Sequence, residues 1–301
     1  MRGVVLLAVE NPVYAKFAFN MALSIKHHSP QMPIQLIADH NALHGLMAWQ
    51  EQPEYFDYIT KVDESFSRAP DSEYNSKSRF TPAKAKMSIY DVAMFDENIF
   101  LDVDGVLINP IEPLFDLNKD KEFSTQVIGH CKFGESEFPN MLWSKPVEFY
   151  QHFKVDSSVD LTATNSSFIY FKKGETAKRI FNTALNQLME NRMPRGLQHL
   201  KWGTGQPDEL YLNASLALNN YDASMPGREF AIYFSSSRIE PEADLQEKYF
   251  AIGLYGPKGQ IHSSIIDYCE VYMRKLCEPK GFHPPFKYLN LMKDKFQHKR
   301  Y

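Results

Sequence analysis

The stretch Ile99-Phe-Leu-Asp-Val-Asp-Gly-Val-Leu-Ile108 decides how the rest of the chain reads. Ile99, Phe100 and Leu101 form an apolar run of the kind that makes a buried strand. The run stops at Asp102-Val103-Asp104. If the extended backbone continues, alternation puts both carboxylates on one side and Val103 on the other. In open α/β sheets the carboxyl ends of strands are where ligands bind. Two nearby carboxylates repel, so either one stays protonated or a cation sits between them. The plain alternative is a strand that ends in a solvated turn, since Asp-Gly is ordinary turn chemistry.

Upstream, residues 4–9 read as a first buried strand. Asn11 is a good N-cap and Pro12 a good first helical residue. Tyr14, Phe17, Ala18, Met21, Ala22 and Ile25 then recur at helical spacing. Residues 33–38 read as a second strand closed by Asp39, so the chain opens β-α-β with a parallel sheet. A helix near 43–50 and a short strand near 58–62 continue the alternation. Residues 64–80 are polar and read as a mobile loop able to close over a ligand and exclude water. Residues 82–96 read as one helix with Ala85, Ile89, Val92 and Ala93 as its apolar stripe.

Downstream, strands are expected at 127–131 and 167–171, with loop between them at 132–160. A helix is expected at 176–190, and another from Pro207 to about 219 with Asp208 and Glu209 in its first turn, where acids suit the helix dipole. A flexible loop at 203–205, a strand at 249–254, a turn at 256–259 and a helix to about 275 complete the reading. The expected fold class is α/β: a mostly parallel sheet flanked by helices, in one domain over 1–265, with a C-terminal helical and basic segment over 266–301 closing it.

The chain has 301 residues, 44% hydrophobic and 23% charged, with a net charge of −4. This is an ordinary globular composition with no global bias toward nucleic acid. Residues 274–301 are different, with eight basic and two acidic residues. Such a tail suits an anionic acceptor, a membrane surface or a nucleic acid, and equally a solvated end. Three cysteines without ligand spacing suit buried thiols in a reducing compartment. Residues 3–9 are too short an apolar run for a signal segment or a membrane span. The expected location is cytoplasmic, with peripheral contact at a membrane face left open for the basic tail.

Two family resemblances meet at the Asp pair. Asp102-Val-Asp104-Gly105-Val106-Leu107 resembles the first motif of haloacid-dehalogenase-type phosphatases. That resemblance implies Asp102 as nucleophile and Asp104 as general acid. However, this motif normally opens its fold, whereas here βα units precede it.

A wider resemblance, scattered over about 250 residues, is to the GT-A fold nucleotide-sugar glycosyltransferases, and in particular the glycogenin-like group, glycosyltransferase family 8. Leu7-Ala-Val-Glu-Asn11 with Tyr14 is similar to the family's first strand and helix. There the tyrosine stacks on uracil, and Val9 and Asn11 fall beside it. Lys86, sixteen residues before Asp102, stands where the family has a lysine on the nucleotide phosphates. Asp102-Val103-Asp104 resembles the family's DxD motif. Asn165-Ser-Ser-Phe-Ile-Tyr-Phe171 resembles its Asn-Ser-Gly strand, and Pro207-Asp-Glu-Leu-Tyr-Leu-Asn213 its Asp-Gln…Leu-Asn motif facing the sugar. His262 stands where the family has a late histidine ligand.

Two departures stand out. Glu209 replaces the usual glutamine. The Gly and Lys that follow the family's histidine are missing here, which leaves Lys258 or Arg274 to clamp the diphosphate.

The resemblance implies a metal-dependent hexosyltransferase using a UDP-sugar. Mn²⁺ or Mg²⁺ would be held by Asp102, Asp104 and His262. The donor would be contacted by Val9, Asn11, Tyr14, Lys86, Asp102, Val103, Asn165 and Lys258, and catalysis carried by Asp208 and Glu209. The acceptor stays open among a glycan, a glycolipid, a protein and a modified nucleic acid. A third reading keeps nucleotide-sugar binding without turnover.

Overall fold

The computed structural model describes the chain except residues 48–54, 73–74, 138, 140–141, 191–206, 226–229, 234–241, 255–262, 282–285 and 298–301. The chain starts with β1 (Arg2–Ala8), α1 (Pro12–His28), β2 (Ile34–Ala38), α2 (His40–Met47) and β3 (Tyr58–Lys61). It continues through β4 (Arg68–Ser72), β5 (Asn75–Phe80), α3 (Pro82–Met87), α4 (Ile89–Val92), β6 (Glu97–Leu101) and β7 (Gly105–Leu107). Next come α5 (Glu112–Leu117), β8 (Phe123–Cys131), α6 (Pro146–Phe153), β9 (Leu161–Lys172), α7 (Glu175–Glu190) and α8 (Asp208–Leu218). The last elements are β10 (Ala231–Tyr233), α9 (Glu242–Lys248), β11 (Ala251–Gly253), α10 (Ser263–Cys277) and α11 (Tyr288–Gln297).

Among the described residues the main sheet has six strands in the order β3-β2-β1-β6-β9-β8, mostly parallel and flanked by helices. This is the α/β class read from the sequence. A three-stranded sheet has the order β10-β11-β7, and β4 and β5 pair alone. No helix among the described residues is long and apolar enough to cross a membrane.

The chain clusters into two compact units. One holds residues 2–62, 101–116 and 227–301, and the other residue 1, 63–100 and 117–226.

In the unit that begins at Arg2, β1, β2 and β3 pair in parallel. Asn11 caps α1 as expected, its side chain accepting from the Val13 amide at 3.0 Å, with Pro12 opening the helix. α1 is buried almost all round, so even Asn20 and Ser24 are enclosed and must find partners. Asn20 donates to the Phe286 carbonyl at 3.1 Å. The Ser24 hydroxyl donates to the Met21 carbonyl at 2.7 Å. The C-terminal segment, expected to be helical to about 275 and basic beyond, forms a further helix in α11. Tyr288, Leu291 and Met292 supply the buried face of that helix.

In the other unit β8 and β9 form a long antiparallel pair with register shifts near Thr125 and Val127. Both strands run further than the short apolar cores at 127–131 and 167–171 suggest. The polar residues Thr164, Asn165, Ser166 and Ser167 extend β9 and are themselves buried. The sequence departs from the structure at three more places here.

Within residues 64–80, expected as a mobile loop, Arg68–Ser72 and Asn75–Phe80 pair as an antiparallel ribbon. Its strands are too polar to carry a period, and Pro70 is tolerable because a two-stranded ribbon has open edges. The helix expected over 82–96 breaks at Ser88 and ends at Val92. The Ser88 hydroxyl donates to the Lys84 carbonyl at 2.8 Å, competing with the backbone ladder. Within the stretch 132–160 expected as loop, Pro146 opens α6, which buries Phe149, Tyr150 and Phe153 against Leu161, Leu210 and Tyr211.

Candidate active site

In the unit that contains β9, the predicted residues Lys86, Asp208 and Glu209 come together around Ser166, next in sequence to the predicted Asn165. Lys86 lies on α3, Asn165 near the middle of β9, and Asp208 and Glu209 in the first turn of α8. Lys86 is 6% exposed, so it is not the solvated helix lysine that spacing alone allows. Its ammonium forms an ion pair with Asp208. It also donates to the Ser166 hydroxyl at 3.1 Å and lies 5.3 Å from the centre of the Phe100 ring. The Ser166 hydroxyl stands 2.6 Å from Asp208 Oδ2 and 3.1 Å from Glu209 Oε1.

Burial pushes the Asp208 carboxyl up. The Lys86 charge and hydrogen bonds from Lys86 and Ser166 outweigh burial and hold it below its ordinary value. Asp208 is therefore an ionised acceptor, not an acid.

Ser166 was not singled out from the sequence, though it lies inside the quoted Asn-Ser-Ser stretch. Asn165 Oδ1 accepts from the Ser167 amide at 3.1 Å, shaping the strand locally. Asn213, the last residue of the quoted Pro207 motif, accepts from the Thr164 amide at 3.1 Å and the Thr164 hydroxyl at 2.7 Å. These bonds tie α8 to β9 from within.

β6 stops at Leu101, and Asp102, Val103 and Asp104, which belong to the other unit, form a bend before β7. Alternation therefore does not govern their directions, contrary to the strand-based expectation. Asp102 is half-buried, Val103 is buried and Asp104 is 7% exposed. The Leu254 amide donates to the Asp104 carbonyl at 2.7 Å. β7 pairs antiparallel with β11, and a Cβ on Gly105 would lie 2.5 Å from the Ile252 carbonyl oxygen. Glycine is required there by a neighbouring backbone, not by turn conformation.

Also in this unit, Val9 is buried and Tyr14 is half-buried on the first turn of α1. Glu10, between β1 and the Asn11 cap, takes a left-handed φ of 67°. Its amide donates to Asp39 at 2.6 Å, and the other Asp39 oxygen accepts from the Ala42 amide at 2.8 Å. Asp39 thus fixes the end of β1 and the start of α2 together, a task its position as a strand terminator did not reveal.

Two carboxylates on one bend are a hard-oxygen donor set that fits Mg²⁺ or Mn²⁺. His262 and Lys258, and the expected loop at 203–205 and turn at 256–259, lie outside the described residues. Among the described residues no group of three His, Cys, Asp or Glu side chains is placed to hold a metal ion.

No protein-family model matches the sequence, and no curated protein does. Solved structures do match. The chain is similar to the galactosyltransferase LgtC in complex with donor and acceptor sugar analogs, with a TM-score of 0.57 and 13% identity, covering 99% of this chain and 100% of that one. It is similar to an active-site glutamine-to-glutamate variant of LgtC, with a TM-score of 0.54 and 12% identity over 90% of this chain and 95% of that one. It is also similar to the apo bifunctional glycosyltransferase WbbM, with a TM-score of 0.52 and 11% identity over 97% of this chain and 51% of that one. The chain thus has the GT-A fold of these glycosyltransferases.

Proposed function

We propose that this protein is a metal-dependent glycosyltransferase that moves a hexose from a nucleotide diphosphate sugar, a UDP-sugar by family resemblance, to an acceptor. The observation that carries the reading is the Asp102-Val-Asp104 bend at the carboxyl end of β6, in a chain whose whole length follows the GT-A fold. The same likeness favours glycosyl transfer over the phosphatase alternative.

Asp102 and Asp104, with His262, would hold Mn²⁺ or Mg²⁺. Such an ion, when bound, offsets the negative charge that builds on a leaving diphosphate. Val9, Asn11, Tyr14 and Val103 would meet the nucleoside, with Tyr14 offering a ring face to the base. Asn11 would act mainly through the backbone it caps. Lys86 and Ser166 keep Asp208 ionised, so Asp208 accepts hydrogen bonds from sugar hydroxyls. Glu209 would share that task. The exchange that defines the LgtC variant, glutamine to glutamate, is the one that separates Glu209 from the glutamine of the family motif. Asn165 and Lys258 would complete the donor contacts. The acceptor would be a glycan, glycolipid, protein or modified nucleic acid, presented where the basic C-terminal tail can meet an anionic group.

The test is thermal melting with UDP, with and without Mn²⁺, on wild type and on Asp104→Ala. Ligand at 100 times its dissociation constant adds about 2.7 kcal/mol of stability. We expect a metal-dependent rise in wild type that the variant lacks. No rise with UDP or any other nucleotide overturns the reading.

A further inference from the structure

β7 is an edge strand, and its two edges are satisfied in different ways. Residues 104, 106 and 108 face β11. The Leu254 amide donates to the Asp104 carbonyl at 2.7 Å, the Ile108 amide donates to the Phe250 carbonyl at 2.8 Å, and Val106 pairs with Ile252. The backbone groups of Gly105 and Leu107 point the other way, away from β11, and both residues are buried. Buried backbone groups must be paired. Here the partners are side chains from three helices. The Leu107 amide donates to the Ser24 hydroxyl of α1 at 3.0 Å. The Tyr272 hydroxyl of α10 donates to the Leu107 carbonyl at 2.9 Å. The Tyr288 hydroxyl of α11 donates to the Gly105 carbonyl at 3.1 Å.

The rings that carry these hydroxyls are themselves fixed. Tyr288 is fully buried, with its ring 5.8 Å from that of Phe17. Tyr272 stacks on Tyr268 at 6.1 Å and on His28 at 6.3 Å. Asp104 is thus anchored at its own carbonyl by β11 and, one residue on, by Tyr288.

We infer that Tyr288 and Tyr272 are positioning residues for the Asp102–Asp104 bend, which makes the two C-terminal helices part of the metal-binding apparatus. The inference rests on the proposed function for its purpose, though not for its geometry. Partners that orient the ligands of a metal ion typically matter ten- to a hundredfold in affinity.

The experiment uses the full chain with Tyr288→Phe and Tyr272→Phe, which keep the rings and remove the hydroxyls. Tyr150→Phe is the matched control, because the Tyr150 hydroxyl also donates to a carbonyl, that of Val159, in the other unit. Amide hydrogen exchange across residues 101–108 is read without ligand, and Mn²⁺ affinity is read in the presence of UDP. We expect faster exchange at 102–107 in the two edge variants but not in the control, and a Mn²⁺ dissociation constant raised about tenfold in those two alone. Exchange that rises no more at 102–107 than in the control overturns the inference. So does unchanged Mn²⁺ affinity beside a loosened bend. Local loosening in a chain whose wild type binds neither Mn²⁺ nor UDP upholds the anchoring and sinks the glycosyl-transfer reading instead.

Discussion

Two acidic pairs lie in different compact units and are held by opposite means. Asp208 and Glu209 are held by side chains: Lys86 supplies a cation and Ser166 a hydroxyl, all largely buried. At Asp102 and Asp104 the backbone is held, through β11 on one edge of β7 and hydroxyls on the other. The first arrangement balances charge inside the protein. The second fixes where the chain runs.

The sharpest way to break this contrast is Lys86→Met. Removing one partner of a buried ion pair strands the other, so we expect a loss of about 3 kcal/mol in urea unfolding. The double variant Lys86→Met/Asp208→Leu should recover most of it, because no buried charge is left alone. A single variant as stable as wild type would mean that Asp208 does not depend on Lys86. Next in size is Gly105→Ala. Its methyl would meet a backbone carbonyl at 2.5 Å, and the strands must part, costing about 2 kcal/mol in the same assay. An alanine variant that is neutral would show that β7 is not held closely to β11.

The sequence made part of this contrast legible. The central strand and its acidic stop, the Asn11 cap and the opening β-α-β were all readable from local pattern, because their signals lie within one or two turns of chain. Asp208 was legible as a first-turn acid, but its pairing with Lys86 was not, since no local signal links residues so far apart in sequence. Gly105 looked like turn chemistry, and only the fold shows that β11 is the reason. The roles of Ser24, Tyr272 and Tyr288 had no local signal, because edge pairing by side chains leaves no period. The ribbon of β4 and β5 hid for a related reason: its strands are polar and carry no period.

A pH series separates the two units. Burial and the neighbouring His27 lower His28 from 6.5 to about 4. His28 stays neutral in the fold and must gain a proton on unfolding between those values. Stability is therefore full above pH 6.5 and falls as pH drops toward 4. His28 is only partly buried, so we expect about 1–2 kcal/mol over that window once solvent screening is allowed for. His28→Gln should flatten this part of the curve. Asp208 behaves differently, since its carboxyl lies below 3.8, and the ion pair persists until pH falls beneath that value. A wild-type curve that is flat from 6.5 to 4 would overturn the assignment to His28.

The smallest expected effect is that of Ser166→Ala, and it asks whether Lys86 alone sustains the first pair. The serine has one proton for two carboxylate neighbours, and the closer contact is Asp208 at 2.6 Å. Its loss removes one of the bonds that hold the Asp208 carboxyl down, while the lysine charge remains. We expect a cost of about 1 kcal/mol at neutral pH, the usual net value of a hydrogen bond. The acid limb of the stability curve should also be smaller and level off at a higher pH, because Asp208 moves back toward its ordinary value while the onset stays where the unfolded carboxyl titrates. A loss as large as that of Lys86→Met would mean that lysine, serine and carboxylates act as one network rather than as a dominant ion pair with a helper. Charge balance in the first unit would then be as dependent on neutral hydroxyls as the backbone of β7 is in the second.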